Sequence, residues 1–170
     1  MSNMEVFEAI KIRRSIRSYQ DKPVEKEKLD KLLEAARLAP SAKNRQEWRF
    51  IVVTDREKRE KLVDACKGQR FVGEAPVIIV GLADPSTSRW YKVDIGIAME
   101  HMVLEAVELG LGTCWIGAFY QEKVKELLGI PEEKEVVALL TVGYPKEEVE
   151  PRPRKSINEI VCYDRYCFQD

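Results

Sequence analysis

A chain of 170 residues with 28 Lys+Arg against 29 Asp+Glu has a formal charge of -1, the length of one domain, and enough apolar residues (45%) to bury a core. That balance excludes a general field for nucleic acid or an anionic membrane, and no apolar run reaches the length of a membrane span. The opening MSNMEVFEAI has neither the basic start nor the apolar stretch of a signal peptide, so residues 1–170 read as a single cytoplasmic domain.

Val6, Phe7 and Ile10 share one face of a first helix that ends near Arg13. RRSIRSY, from Arg13 to Tyr19, then sets three arginines within five residues with no acid among them. Such a cluster suits a local anion, and its plainer alternative is a basic helix end that complements the helix dipole. Leu29, Leu32, Leu33 and Ala36 line a second helix, which Pro40 stops. PSAKNRQEW follows with Ser41, Asn44 and Gln46, short polar groups that also serve ordinary capping and turns. WRFIVVT and PVIIVGLA read as strands, both apolar enough to be expected inside a sheet rather than at its edge. Between them DREKREKLVDAC is a polar helix turning Leu62, Val63 and Cys66 inward, with the dense charge of a solvated face in a heat-adapted protein.

From Asp94 to Leu109 a long helix carries Ile97, Met99, Met102, Val103 and Ala106, apolar on more than half its circumference, as in a core or a subunit interface. Its His101, the one histidine, is expected to be packed or hydrogen-bonded rather than catalytic. GLGTCWIGAF reads as a glycine-punctuated strand, QEKVKELLGI as a short helix and EVVALLTVGY as a further strand. After Pro145 the chain turns proline-rich and charged, with a second basic cluster in RPRK, and then aromatic; such a tail needs another surface to lie on. Cys66, Cys114, Cys162 and Cys167 form no CxxC pair, and free thiols are expected. The close pair in CYDRYC leaves a redox pair or metal ligation open, although no second pair completes a zinc set, and no metal site is assigned. No Ser-His-Asp set, acid/base pair, P-loop or G-x-G-x-x-G fingerprint is present, so the hard chemistry belongs to a cofactor.

Four blocks resemble the nitroreductase family of FMN-dependent oxidoreductases, in order and across almost the whole chain. They are RRSIRSY, APSAKNRQEWRF, DIGIAMEHMVLEAVELGLGTCWIG and PRPRKSINEIV. The resemblance implies an α+β fold, with a central mainly antiparallel sheet flanked by helices. It further implies a homodimer with FMN sites built at the interface from both chains, and a C-terminal extension, about residues 151–170, wrapping the partner. Arg13, Arg14 and Ser15 would cradle the FMN phosphate and ribityl chain, joined by Arg152 and Arg154 from the tail, with Lys155 nearby. Arg17 would lie toward the N1/C2 edge of the flavin, where a cation favours the reduced form. Pro40, Ser41 and Asn44 would lie against the isoalloxazine from the opposite subunit with Gln46 close by; Glu47 stands where the family has proline before Trp48. Gln69 would meet the pyrimidine edge, and an amide N–H of Ile116 or Gly117 would face N5. The implied activity is hydride transfer from NAD(P)H through FMN to an electron-poor acceptor such as a nitroaromatic, a quinone or a flavin. Around GLADPSTSRWYKVD the chain is short where many members carry an excursion over the site, which implies an open pocket. Two alternatives share these residues: a non-enzymatic flavin-binding sensor or carrier, and a specialised dehalogenase-like or flavin-cleaving member of the superfamily.

Overall fold

The computed structural model describes residues 4–168. Its centre is strand β2 (Val77–Ala83), PVIIVGLA in the sequence, which is buried along its whole length because both faces of the sheet are covered. Successive strand side chains point to opposite faces, and the residues sort accordingly. Val77, Ile79 and Ala83 join one apolar cluster with Leu32, Ile95 and Met99, while Ile78, Val80 and Leu82 join a second with Leu62, Cys114 and Val124. The layers that supply these residues are helices α2 (Lys26–Arg37) and α5 (Tyr91–Glu108) on one side, and α3 (Arg56–Ala65) and α6 (Gln121–Leu128) on the other. Helix α1 (Val6–Ile12) packs on α5, and the short α4 (Phe71–Glu74), which periodicity did not reveal, packs on α3.

The sheet runs β1 (Arg49–Val53), β2, β4 (Glu135–Gly143), β3 (Gly112–Ile116), every neighbour antiparallel, which gives the expected α+β arrangement. The expectation that both apolar strands lie inside the sheet holds for β2 and fails for β1, which is an edge strand. Its Phe50, Ile51 and Val52 are apolar because helices cover the sheet faces, a property independent of having a strand on each side.

At the opposite edge the Arg13–Tyr19 segment runs beside β3. Ser15 forms a parallel bridge with Thr113, the Ile16 amide donates to the Thr113 carbonyl at 2.8 Å, and Tyr19 bridges Pro145. The buried Tyr19 hydroxyl donates to the Ile16 carbonyl at 2.8 Å and lies 2.7 Å from the Thr141 hydroxyl. Burial pushes its phenol well above the usual range, so it is a fixed neutral donor. Gly112 is required for this approach: a Cβ there would sit 2.5 Å from Ile16 Cγ1 and 2.9 Å from Pro145 Cγ. Gly112→Ala is therefore expected to cost about 1–3 kcal/mol by overpacking and to lift the arginine segment from the sheet edge. Chemical denaturation measures the first effect and FMN titration the second; wild-type values for both would show that Ile16 relaxes freely.

Among the described residues, the face of α1 and the tail after Pro145 both expose apolar side chains that nothing in the chain covers. On α1, Val6 and Phe7 are each 69% exposed and Ile10 is half exposed, with only Ala9 buried. Residues 146–160 are exposed throughout, Ile157 and Ile160 included. Further on, Cys162 and Cys167, expected as free thiols, are joined by a disulfide. Asp164 adopts a left-handed conformation (φ 64°), which folds the chain back and brings the two Cα atoms within 5.8 Å. Cys66 and Cys114 are the free, buried pair. Among the described residues no helix is long and apolar enough to cross a membrane.

Candidate functional site

The end of α1, the Arg13–Arg17 segment and residues 149–154 of the tail enclose a cleft of about 400 Å³. Arg13, Arg14, Ser15 and Arg17 line it from one side, Arg152 and Arg154 from the other. With Lys11 that makes six basic side chains against the single carboxylate of Glu150. Two basic clusters at opposite ends of the sequence thus meet in one place. Like charges gather at a cost that only an anion offsets, and guanidinium forks match a phosphate.

The strongest mark of a missing partner is Arg14. Its Nη1 donates to the carbonyls of Lys11 at 2.8 Å and Arg13 at 2.9 Å, which fixes the guanidinium, yet its buried Nε has no hydrogen-bond partner. A buried donor left unpaired costs about 1–3 kcal/mol, and a phosphate oxygen would supply the acceptor. By this test the residues present fit the phosphate end of FMN.

Because the arginine segment runs parallel to β3, Arg17 lies further along the strand than Ser15, in the direction of Ile116 and Gly117. Arg17 stacks over Phe71, 6.0 Å from the ring centre. Burial raises the Cys114 thiol above its ordinary pKa, with Arg17 and Arg13 opposing the rise, so both cations lie within electrostatic reach of mid-strand β3. From Thr113 to Gly117 the strand spans about 13 Å. Gly117 is exposed, and a Cβ there would meet nothing within 4 Å, so its backbone borders open space. Gln69 sits beside this strand end: its Nε2 donates to the carbonyls of Cys66 at 2.8 Å and Ala118 at 3.1 Å, which leaves its carbonyl oxygen as the group still available.

Pro40, Ser41, Asn44 and Gln46 are not among the residues that line the arginine cleft. They lie after α2, on a tight turn containing the 3-10 helix Ala42–Asn44, where Asn44 and Gln46 both take φ 54°. Ser41 Oγ accepts from the Gln46 amide at 2.9 Å, and the Gln46 side chain donates to the Asn44 carbonyl at 3.2 Å. Ser41 and Gln46 therefore do the turn chemistry that their residue types allow, whatever else they touch. Arg154 Nη1 has only long contacts, 3.4 Å, to the carbonyls of Arg152 and Pro153.

Two supporting residues escaped the sequence reading. Asp94, buried in the first turn of α5, accepts from the Ala42 amide at 3.0 Å and pins the turn that carries Ser41 and Asn44. Tyr19, though inside RRSIRSY, is the anchor of that segment, and a tyrosine closing a polar run was its only signal. His101 Nδ1 lies 3.2 Å from the Ala35 carbonyl, the hydrogen-bonded setting expected of it.

An α+β sandwich with an arginine cleft against an edge strand is the frame of a protein built around a phosphate-bearing cofactor. The Nitroreductase family model matches residues 10–70 and 66–144. An Archaeoglobus fulgidus protein assigned as an NADH dehydrogenase/NAD(P)H nitroreductase is 41% identical over 152 residues, 85% of this chain and 87% of its own. The FMN reductase [NAD(P)H] of Bacillus subtilis is 32% identical over 98% of this chain and 76% of its own length. Among solved structures, an FMN-dependent nitroreductase from Clostridium difficile is similar at TM-score 0.86 and 37% identity, over 93% of this chain and 98% of that one. The chain belongs to the nitroreductase family.

Proposed function

We propose that this oxidoreductase seats FMN with its phosphate in the arginine cleft and its ring toward Ile116 and Gly117, takes hydride from NAD(P)H, and passes it to electron-poor acceptors such as nitroaromatics, quinones or free flavins. The observation that carries the reading is the meeting of Arg13, Arg14 and Arg17 with Arg152 and Arg154 around the unpaired Arg14 Nε. Bound FMN supplies the centre that accepts and releases hydride. The chain's part is to hold and bias it. Arg13, Arg14 and Arg154 neutralise the phosphate, Ser15 adds a hydroxyl, and Arg17 places a fixed cation where negative charge on the reduced ring is favoured. The backbone N–H groups of Ile116 and Gly117 are offered where no side chain blocks approach, and Gln69 borders the same strand end. Pro40, Ser41, Asn44 and Gln46 do not share the arginine cleft within one chain, so we assign them to the ring face of the site on a second copy. The homodimer is part of this proposal, supported by the unpartnered faces of α1 and the tail.

Absorbance of the purified protein, before and after anaerobic NADH or NADPH, tests the reading. A flavin spectrum that bleaches on addition of nucleotide and returns with a nitroaromatic or quinone is the expected outcome. A flavin spectrum that neither nucleotide bleaches would favour a sensor or carrier, and no bound flavin would overturn the cofactor assignment.

A further inference from the structure

Away from the arginine cleft, the turn after α2 and the 84–90 connection into α5 enclose a second cleft of about 350 Å³. Lys43 and Arg45 line it from the turn, Arg89 and Trp90 from the connection, and no carboxylate is among its lining residues. Elsewhere the chain neutralises its surface locally, as in Lys26–Asp30, Arg56–Glu60 and Lys61–Glu57. Lys43, Arg45 and Arg89 take part in none of the ion pairs found among the described residues. Trp90 is 60% exposed, a large aromatic face left open beside three cations.

Both walls are held in place. The turn is pinned by the Asp94–Ala42 and Ser41–Gln46 hydrogen bonds, and Lys43 itself sits at φ 55°, a conformation that a lysine adopts only when its surroundings impose it. The connection is ordered by Asp84, which accepts from the Ser86 amide and hydroxyl and pairs with Lys134; these partners hold its carboxyl down at about 2. Asp84 and Asp94 are thus already engaged, no carboxylate lines the cleft, and the three cations stay without an ion-pair partner among the described residues. Lys43 and Arg45 flank Asn44, which we assigned to the flavin ring face, so this cleft begins where a nucleotide delivering hydride must end.

We propose that the cleft binds the 2′-phosphoadenosine end of NADPH, with Lys43, Arg45 and Arg89 pairing the phosphomonoester and Trp90 stacking on the adenine, so that NADPH is preferred over NADH. The proposal rests on the hydride-donor reading above. A 2′-phosphomonoester carries nearly two charges and open oxygens for guanidinium forks, whereas NADH presents a neutral ribose there and leaves the trio uncompensated. An exposed indole takes an adenine by stacking, without base-specific contacts.

The FMN-loaded, full-length protein is titrated with 2′,5′-ADP, 5′-AMP and inorganic phosphate. Binding of 2′,5′-ADP about tenfold or more tighter than 5′-AMP is expected, with fluorescence quenching that Trp90→Phe removes. Arg45→Ala and Arg89→Ala should each weaken 2′,5′-ADP about tenfold, less so at about 0.5 M salt, and leave 5′-AMP nearly unchanged. The KM for NADPH should rise in parallel while that for NADH stays put; both side chains are exposed, so melting temperatures should not move. Equal affinity for 2′,5′-ADP and 5′-AMP overturns the proposal, and so does inorganic phosphate binding as tightly as 2′,5′-ADP, which would mark a generic anion patch. Selective 2′,5′-ADP binding in a protein whose flavin neither nucleotide reduces would sink the hydride-donor reading and leave the cleft assignment standing. Reduction by both nucleotides without selective binding would do the reverse.

Discussion

Arg14→Ala and Arg154→Ala are each expected to weaken FMN by about 1.5–3 kcal/mol, the range for hydrogen bonds to a charged group, and to change the affinity for riboflavin hardly at all. Arg14 is fixed by two backbone carbonyls before any ligand arrives and has a buried Nε to satisfy, so little ordering entropy opposes its contact. Arg154 comes from an exposed stretch and should be the weaker of the two. If both reach one phosphate as proposed, the double variant should lose less than the sum, and a double-mutant cycle measures the difference. Riboflavin lacks the anion and leaves the guanidinium groups facing one another, so wild-type protein should prefer FMN strongly. Titration of apoprotein decides the point: equal affinity for FMN and riboflavin would make the cluster a charged helix end and move the cofactor elsewhere.

Truncation after Val149 is expected to produce the other large effect, loss of the proposed dimer together with loss of FMN. The deleted stretch holds Arg152 and Arg154, two of the six cations of the cleft, and Ile157 and Ile160, which its own chain leaves exposed. In the proposed dimer, the apolar side chains exposed along the tail and along α1 would be the halves of an interface that resembles a core cut in two. Light scattering and flavin content of the truncated protein, compared with the full chain, give the answer. A well-folded monomer that keeps stoichiometric flavin would remove both the wrapping role of the tail and its share in the phosphate site. In the full chain the melting temperature should rise with protein concentration, as mass action requires of a dimer.

Where the sequence was legible, the reason was local. β2 could be read from its unbroken apolar run, and the arginine cluster from residue types that have few other uses. β1 could not be placed at the edge, because its apolar residues report covered faces and carry no record of neighbouring strands. That Arg14 and Arg154 would meet follows from no periodicity; only the family resemblance carried it. The Cys162–Cys167 bond depends on Asp164 adopting a left-handed turn, which the spacing alone does not encode. The Asp94–Ala42 hydrogen bond and the gathering of Lys43, Arg45 and Arg89 join segments some forty or fifty residues apart, beyond any window in which charge pattern is informative.

The cleft that joins residues 13–17 to residues 149–154 ties together segments near the two ends of the chain. An anion held there would act as a clasp, closing residues 13–154 into a ring without a covalent bond. Closing so long a loop costs only slightly more than closing a short one, since the entropy grows with the logarithm of length. When the clasp opens, the exposed tail is the part set free, because residues 13–19 stay held on β3 by the Ile16–Thr113 and Tyr19 hydrogen bonds. With FMN seated as proposed, its loss should free residues 149–154, and the first cuts by a protease should fall there.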